Sequence, residues 1–284
     1  MEGRFELKYV IDSKQRAKFL HRVQDSLIPD PHGVNAIYRV SSVYYDTHDF
    51  SAYWEKVDGE GVRRKYRLRY YSMDESTLEM SAAFMEVKHR IHNTVYKQRV
   101  RLTIDGAKTI LDDDRKLIRL NEFLFPGVQP DLAAIADVER AAQAGLEGKA
   151  TITYLREAWM GVVDDRLRLT FDSRGQSYSP SQYAAVNGNS GQAFMPSNQI
   201  IMEVKFNRAI PRWIRDALND CGLVLQRFSK YAAGVETPVK EYVASMTQSG
   251  SEVGDTGDQC RLSAQVCNAT IQNGSFFPVS TPHL

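Results

Sequence analysis

Three segments of the chain carry a glutamate and a lysine two residues apart: Glu6/Lys8, Glu86/Lys88 and Glu203/Lys205. Basic residues recur at the same spacing in Lys65, Arg67 and Arg69, in Lys97, Arg99 and Arg101, and in Arg166 and Arg168. A spacing of two puts side chains on one face of a β-strand. Rows of guanidinium and ammonium groups suit phosphate oxygens, which the guanidinium fork binds in pairs. Carboxylates set among them, at Glu6, Glu86 and Glu203, suit Mg2+ or Mn2+, ions held by one or two carboxylates together with substrate phosphates. The chemistry implied is that of a metal–phosphate-chain complex.

The elements that must position these residues read as eight strands: Arg4–Val10, Tyr38–Tyr45, Arg64–Tyr71, Phe84–Arg90, Val95–Leu102, Ile152–Trp159, Arg166–Asp172 and Ile200–Phe206. The charged residues alternate with apolar ones: Phe5, Leu7 and Tyr9 oppose Arg4, Glu6 and Lys8, and Met202, Val204 and Phe206 oppose Glu203 and Lys205. Arg156 shares its face with Tyr154, and Arg168 with Thr170 and Asp172. A single strand of this kind is ordinary, because a half-exposed antiparallel strand alternates. The whole set is not, because Arg and Lys dominate one face. Two such charges ~6 Å apart repel by about 3 kcal/mol at an effective dielectric of 20. A bound polyanion would remove that cost. If the sheet closes, eight strands leave room for side chains or one slim ligand.

Helices are expected at Ser13–Leu27, ended by Asp30-Pro31, at Ala107–Leu120, at Asp131–Gln143 and after Pro211, where Trp213, Ile214, Ala217, Leu218 and Cys221 form an apolar stripe closed by Gly222. Ser173–Gln199 lacks any period and reads as a long loop, and residues 244–284 read as a disordered polar tail after a folded domain over 1–243. The 284 residues hold 36 Lys+Arg against 35 Asp+Glu, a net charge of +1, which disfavours a non-specific nucleic-acid binder. No apolar run is long enough to span a bilayer, and no signal peptide is visible. Three cysteines without a metal-like cluster suit a reducing cytoplasm.

The stretches RFELKYVI, YRVSSVYYDT, RRKYRLRYY, MEVKHR, VYKQRVRL, TYLREAW, RLRLTFD, IMEVKF and FSKYAAG, in that order over about residues 4–235, resemble the VTC domain. That is the polyphosphate polymerase domain of the CYTH-like, or triphosphate tunnel, superfamily. The resemblance implies an α+β fold, an eight-stranded antiparallel tunnel with a charged interior and helices outside. It implies transfer of the ATP γ-phosphate to a growing polyphosphate chain with release of ADP, assisted by Mn2+ or Mg2+. By motif match Lys8, Arg67, Arg69 and Lys230 would be catalytic. Lys65, Lys88, Lys97, Arg99, Arg156, Arg168 and Lys205 would bind substrate phosphates. Glu203, helped by Glu6 or Glu86, would hold the metal. Any coupling to a membrane would need a membrane-protein partner, since this chain carries no insertion segment.

Three other readings stay open at this stage. A triphosphate hydrolase of the same fold commonly begins Glu-x-Glu-x-Lys, and Arg4 stands where the first Glu would be. A non-catalytic polyphosphate-binding module would lack part of the set Arg67, Arg69, Glu203 and Lys230, all of which are present. An RNA-binding sheet would interleave aromatics with the basic face, whereas Tyr44, Tyr45, Tyr66 and Tyr70 read as core or helix-facing. His89 and His92 read as surface residues, Asp112–Asp114 as a solvated acidic segment, and Cys260 and Cys267 as idle thiols.

Overall fold

The computed structural model describes residues 4–73, 79–92, 94–185 and 191–249. All eight expected strands are present, somewhat longer than their patterns. They are β1 (Arg4–Asp12), β3 (Ile37–Asp46), β4 (Val62–Ser72), β5 (Ala82–Ile91), β6 (Thr94–Leu102), β7 (Glu147–Gly161), β8 (Arg168–Tyr178) and β10 (Gln199–Asn207). Two short strands add to them: β2 (Leu27–Pro29) on β7, and β9 (Gln192–Ala193) on β8. The sheet runs β1-β10-β8-β7-β3-β4-β5-β6, every pair antiparallel.

Alternation decides which face goes where. The apolar face is covered by helices in two places. Phe19 and Val23 of α1 (Ser13–Val23) and Ile214, Ala217 and Leu218 of α5 (Arg212–Asp220) pack on Tyr9, Ile11, Leu169, Phe171, Met202 and Val204. Ala107 and Ile110 of α3 (Ile104–Asp112) and Ile135 and Val138 of α4 (Leu132–Gln143) pack on Tyr45, Leu68, Tyr70, Met85, Val87 and Val100. The opposite face curls inward. Arg69 of β4 reaches Tyr154 of β7 at 3.2 Å across the intervening β3. Lys88 of β5 comes within 3.9 Å of Glu6 of β1, although five strands separate theirs along the sheet.

The expected closure into a barrel takes a different form. β1 and β6 end the strand order and are not hydrogen-bonded to each other among the described residues. Each free edge takes a short cover instead: Tyr9 bridges Leu225 and the Gln226 amide donates to the Lys8 carbonyl, while Leu102 bridges Leu124 and the Phe125 amide donates to the Arg101 carbonyl. Edge groups left without partners would cost free energy or invite pairing, so these covers do the work of closure, and side chains span the gap.

Helix ends follow their caps. Asp12 and Gln15 form a reciprocal capping box for α1, and the helix stops at Val23, a 3-10 turn leading into β2 rather than on to Leu27. The expected helix over 107–120 divides: Asp113 is extended, and a 3-10 segment (Asp114–Phe123) follows α3. Asp112, Asp113 and Asp114 are spent locally, accepting from the Tyr183 hydroxyl and from the amides of Arg115 and Gly148. Ser173–Gln199 is not simply a loop, since β8 continues to Tyr178 and β9 pairs back on it. His89 is buried and stacked on Tyr96 at 4.4 Å, not on the surface, while His92 is exposed in the hairpin.

The chain divides after Val235. A helix, α7 (Glu236–Ser249), covers the first residues of the expected tail, and residues 250–284, with Cys260 and Cys267, lie outside the described residues. No helix among the described residues is long and apolar enough to cross a membrane.

Candidate functional site

The concave face collects nearly every charged side chain expected of it, in two walls. On the β1/β10/β8/β7 wall, Glu203 lies opposite Lys8 and Thr170 in the register. Lys8 Nζ is 2.9 Å from Glu6 and 3.3 Å from Glu203, and Lys205 donates to Glu203 at 2.6 Å. Arg156 clasps Asp172 with two 2.7 Å bonds. Lys230 arrives from outside the sheet. It opens α6 (Lys230–Gly234), a short helix capped by Ser229, and its Nζ sits between Asp172 at 2.7 Å and Glu203 at 2.9 Å. Gly234 lets α6 lie flat: a Cβ there would collide with Ile152 of β7, and its carbonyl accepts from Ser177 at 2.6 Å.

On the β4/β5/β6 wall, register makes rows across three strands: Lys65–Lys88–Lys97, then Arg67–Glu86–Arg99, then Arg69–Phe84–Arg101. Glu86 is buried and accepts from Arg67 at 2.8 and 2.6 Å and from Lys97 at 2.8 Å. Arg69 donates to Ser42 and Tyr154, each at 3.2 Å, and Arg67 to Tyr44 at 2.9 Å. Arg99 has no carboxylate partner among the described residues and lies over the Phe84 ring at 4.7 Å. Lys65 has none either: its Nζ is 3.4 Å from the Ser229 hydroxyl and 4.8 Å above the Tyr231 ring.

The carboxylates are all held ionised. Burial alone would raise them, but Lys205, Lys230, Lys8 and Arg156 keep Glu203 well below the carboxylate range, and Arg67, Arg69 and Lys97 do the same for Glu86. Asp172 is lowered by Arg156 and Lys230 against burial, and Glu6 falls to about 2 under Lys205, Lys8 and Lys88, against burial and Glu203. Lys230, despite burial, is raised by Asp172 and Glu203 and keeps its proton. Lys65 moves the other way: burial, then Lys56, Lys88 and Arg63, push it down to about 7.

Of the expected site residues, the first wall brings together Lys8, Arg156, Lys205, Lys230, Glu6 and Glu203, and the second Lys65, Arg67, Arg69, Lys88, Lys97, Arg99 and Glu86. Arg168 stands apart, tied to Asp30 and to the Tyr38 hydroxyl. The three glutamates expected to serve a metal do not converge. Glu6 and Glu203 share Lys8, whereas Glu86 is committed to the other wall, and the described residues contain no group of three metal-ligating side chains. The Glu6/Glu203 pair still fits Mg2+ or Mn2+, which need only one or two carboxylates when phosphates complete the shell.

Sequence reasoning missed four polar participants. Asp172 was visible on the right face but was not marked as the second anchor of Lys230. Ser42, Tyr44 and Tyr154 point their hydroxyls at Arg67 and Arg69. Tyr44 is buried, as expected of a core residue, but it faces Arg67 and Tyr231 rather than the helices that cover Tyr45, Tyr66 and Tyr70. Strand alternation is the signal that could have found Ser42 and Tyr44, since the two share one face of β3 and Tyr45 takes the other.

The sheet is antiparallel and curled, with helices on its outer face and a cationic concave face. The chain belongs to the VTC domain family, whose model matches residues 3–239. No curated protein matches the chain. Among solved structures it is similar to a candidate adenylate cyclase from Bacillus halodurans, at 12% identity and TM-score 0.47, over 80% of this chain and 94% of that one. A second candidate adenylate cyclase, from Vibrio parahaemolyticus, is similar at 12% identity and TM-score 0.42, over 82% and 97% of the two chains. A protein from Pyrococcus horikoshii is similar at 12% identity and TM-score 0.39, over 82% and 99%.

Proposed function

We propose that the chain is an ATP-dependent polyphosphate polymerase, transferring the ATP γ-phosphate to the end of a polyphosphate chain and releasing ADP. The observation that carries this reading is the Lys65–Lys88–Lys97 row, three lysines facing one another across adjacent strands, with Glu86 the one carboxylate on that wall among the described residues. A row of like charges is stable when an anion of matching repeat lies along it. Membership in the VTC family supports the same reading.

Phosphoryl transfer asks the protein mainly for positioning and charge neutralisation. Arg67 and Arg69, held in place by Glu86, Tyr44, Tyr154 and Ser42, present their remaining N–H groups to phosphate oxygens. Lys65, Lys88, Lys97 and Arg99 hold the rest of the chain. Lys230 and Lys8 fix Glu203 and Asp172 in their ionised form. Glu203 and Glu6 would hold Mn2+ or Mg2+, which neutralises charge on the leaving phosphate when bound.

The alternative acceptor is water, which would make the protein a triphosphate hydrolase. What favours the phosphate chain is Arg4, which stands where hydrolases of this fold commonly carry their first Glu. Glu6, Glu86, Asp172 and Glu203 all sit below the ordinary carboxylate range, so no carboxylate here is tuned to take a proton from water, and Lys65, pushed down to about 7, is the group that a hydrolase would use instead. A terminal phosphate is already anionic and needs no base. The test is incubation of the purified protein with ATP and Mn2+, with products resolved on a gel. Long chains with matching ADP are expected. Free phosphate without chains would establish the hydrolase, and binding without turnover would leave a polyphosphate-binding module.

A further inference from the structure

The last row of the cationic wall differs from the others. Beyond Arg67–Glu86–Arg99 comes Arg69–Phe84–Arg101, one step of two residues, or about 7 Å, further along the strands. There the wall changes from ammonium groups to guanidinium groups laid on phenyl rings. Arg99 lies 4.7 Å from the Phe84 centroid and Arg101 lies 3.7 Å from that of Phe125. Neither arginine has a carboxylate partner among the described residues. Phe84 continues into an aromatic series, edge-on to Tyr71 at 6.1 Å, which in turn meets Tyr38 at 5.9 Å.

A cavity of about 270 Å3 opens at this place, between β6 and the segment that covers its edge. Phe84, Arg99, Arg101 and Phe125 line it with Leu124 and Val128. Its floor is fixed by backbone pairing, because the Leu102–Leu124 bridge and the Phe125-to-Arg101 hydrogen bond hold the cover on the strand. The lining is unlike the rest of the concave face, with no lysine and no acid. Guanidinium planes and phenyl faces side by side favour a flat, π-rich group, by stacking and cation–π attraction.

We propose that this cavity is a nucleobase subsite, which seats the base of a nucleoside triphosphate whose phosphates lie along Arg67, Arg69 and Arg99. The proposal rests on the phosphate-binding reading above. It adds that the concave face has a direction, with the nucleoside end at Phe84 and Phe125 and the bare phosphate chain toward Lys65.

The experiment compares two ligands that share a triphosphate and differ in the base. ATP and inorganic tripolyphosphate are titrated calorimetrically into the wild-type protein and into Phe125→Ala and Phe84→Leu, neither of which changes a charge. The expected result is a loss of about tenfold in ATP affinity in each variant, with tripolyphosphate affinity unchanged. Unchanged tripolyphosphate binding also shows that the variants are folded. Equal loss for both ligands, or no loss for ATP, overturns the subsite and leaves the phosphate reading standing. A wild-type protein that binds neither ligand overturns the phosphate reading, and the subsite with it.

Discussion

The two walls of the concave face handle the same charges in opposite ways. On the β1/β10/β8/β7 wall, with α6, four cations (Lys8, Arg156, Lys205 and Lys230) meet three carboxylates (Glu6, Asp172 and Glu203), and every cation has a carboxylate partner. On the β4/β5/β6 wall, of seven cations in the three rows, Arg67, Arg69 and Lys97 share Glu86, Lys88 reaches across to Glu6, and Lys65, Arg99 and Arg101 have no carboxylate partner among the described residues. The first wall is electrostatically finished by the protein. The second is finished only when an anion arrives. One wall is therefore built for fixed geometry and the other for a ligand, and substitutions in the two should move stability and binding in opposite directions.

The largest effect is expected at Glu203. It offsets Lys8, Lys205 and Lys230 at once from a site that is 4% exposed. Read from sequence as a metal ligand, Glu203→Gln should abolish turnover and leave the fold intact. The structure alters the second half of that expectation. Breaking a buried ion network by removing one partner costs about 3–5 kcal/mol, so the melting temperature should fall steeply as well. Full stability in Glu203→Gln would break the division into a finished and an unfinished wall.

Lys65 tests the other side. An unfolded lysine titrates near 10.4, whereas burial and then Lys56, Lys88 and Arg63 push Lys65 down to about 7. Between those values the unfolded chain binds the extra proton, so this residue makes stability rise with pH from about 7 to about 10. Below 7 the folded state carries a charged, poorly matched ammonium group. Lys65→Met should remove that pH-dependent rise, stabilise the free protein at pH 6 and weaken polyphosphate binding. In the wild type a bound polyanion draws the pKa back up, so binding at pH 8 should take up protons and weaken as pH increases. Calorimetry in two buffers of different ionisation enthalpy reads the uptake directly. Binding without proton uptake would mean that the lysine row is already neutralised by the protein.

The alternation that places Lys65, Arg67 and Arg69 on one face is written in the sequence, because strand period maps directly onto face. So are the eight main strands and the stripe of α5. What each cation meets is not written there. Asp172 and Glu203 become partners of Lys230 only because β8 lies beside β10 and α6 folds back over β7, a matter of strand order and of chain distant in sequence. The short strands β2 and β9 have too few residues to show a period, and Ser177 looks like loop composition because its hydroxyl is used on the Gly234 carbonyl.

The smallest effect, and the finest test of the division, is at Tyr231. Through Lys230, α6 belongs to the finished wall, but the next residue leans toward the other. The Tyr231 ring stacks on Tyr44 at 5.1 Å and lies under Lys65. Its hydroxyl donates to Asp46, which also accepts from the Ala52 and Tyr53 amides at the start of α2 (Ser51–Val57). Tyr231→Phe keeps the ring and removes one hydrogen bond to a charged group, worth about 1.5–3 kcal/mol, or several degrees in melting temperature. Because the ring under Lys65 is unchanged, polyphosphate affinity should hold within twofold. A larger drop in affinity would mean that α6 sets the lysine row as well as Glu203 and Asp172, and the two walls would then have to be treated as one coupled unit joined through residues 229–231.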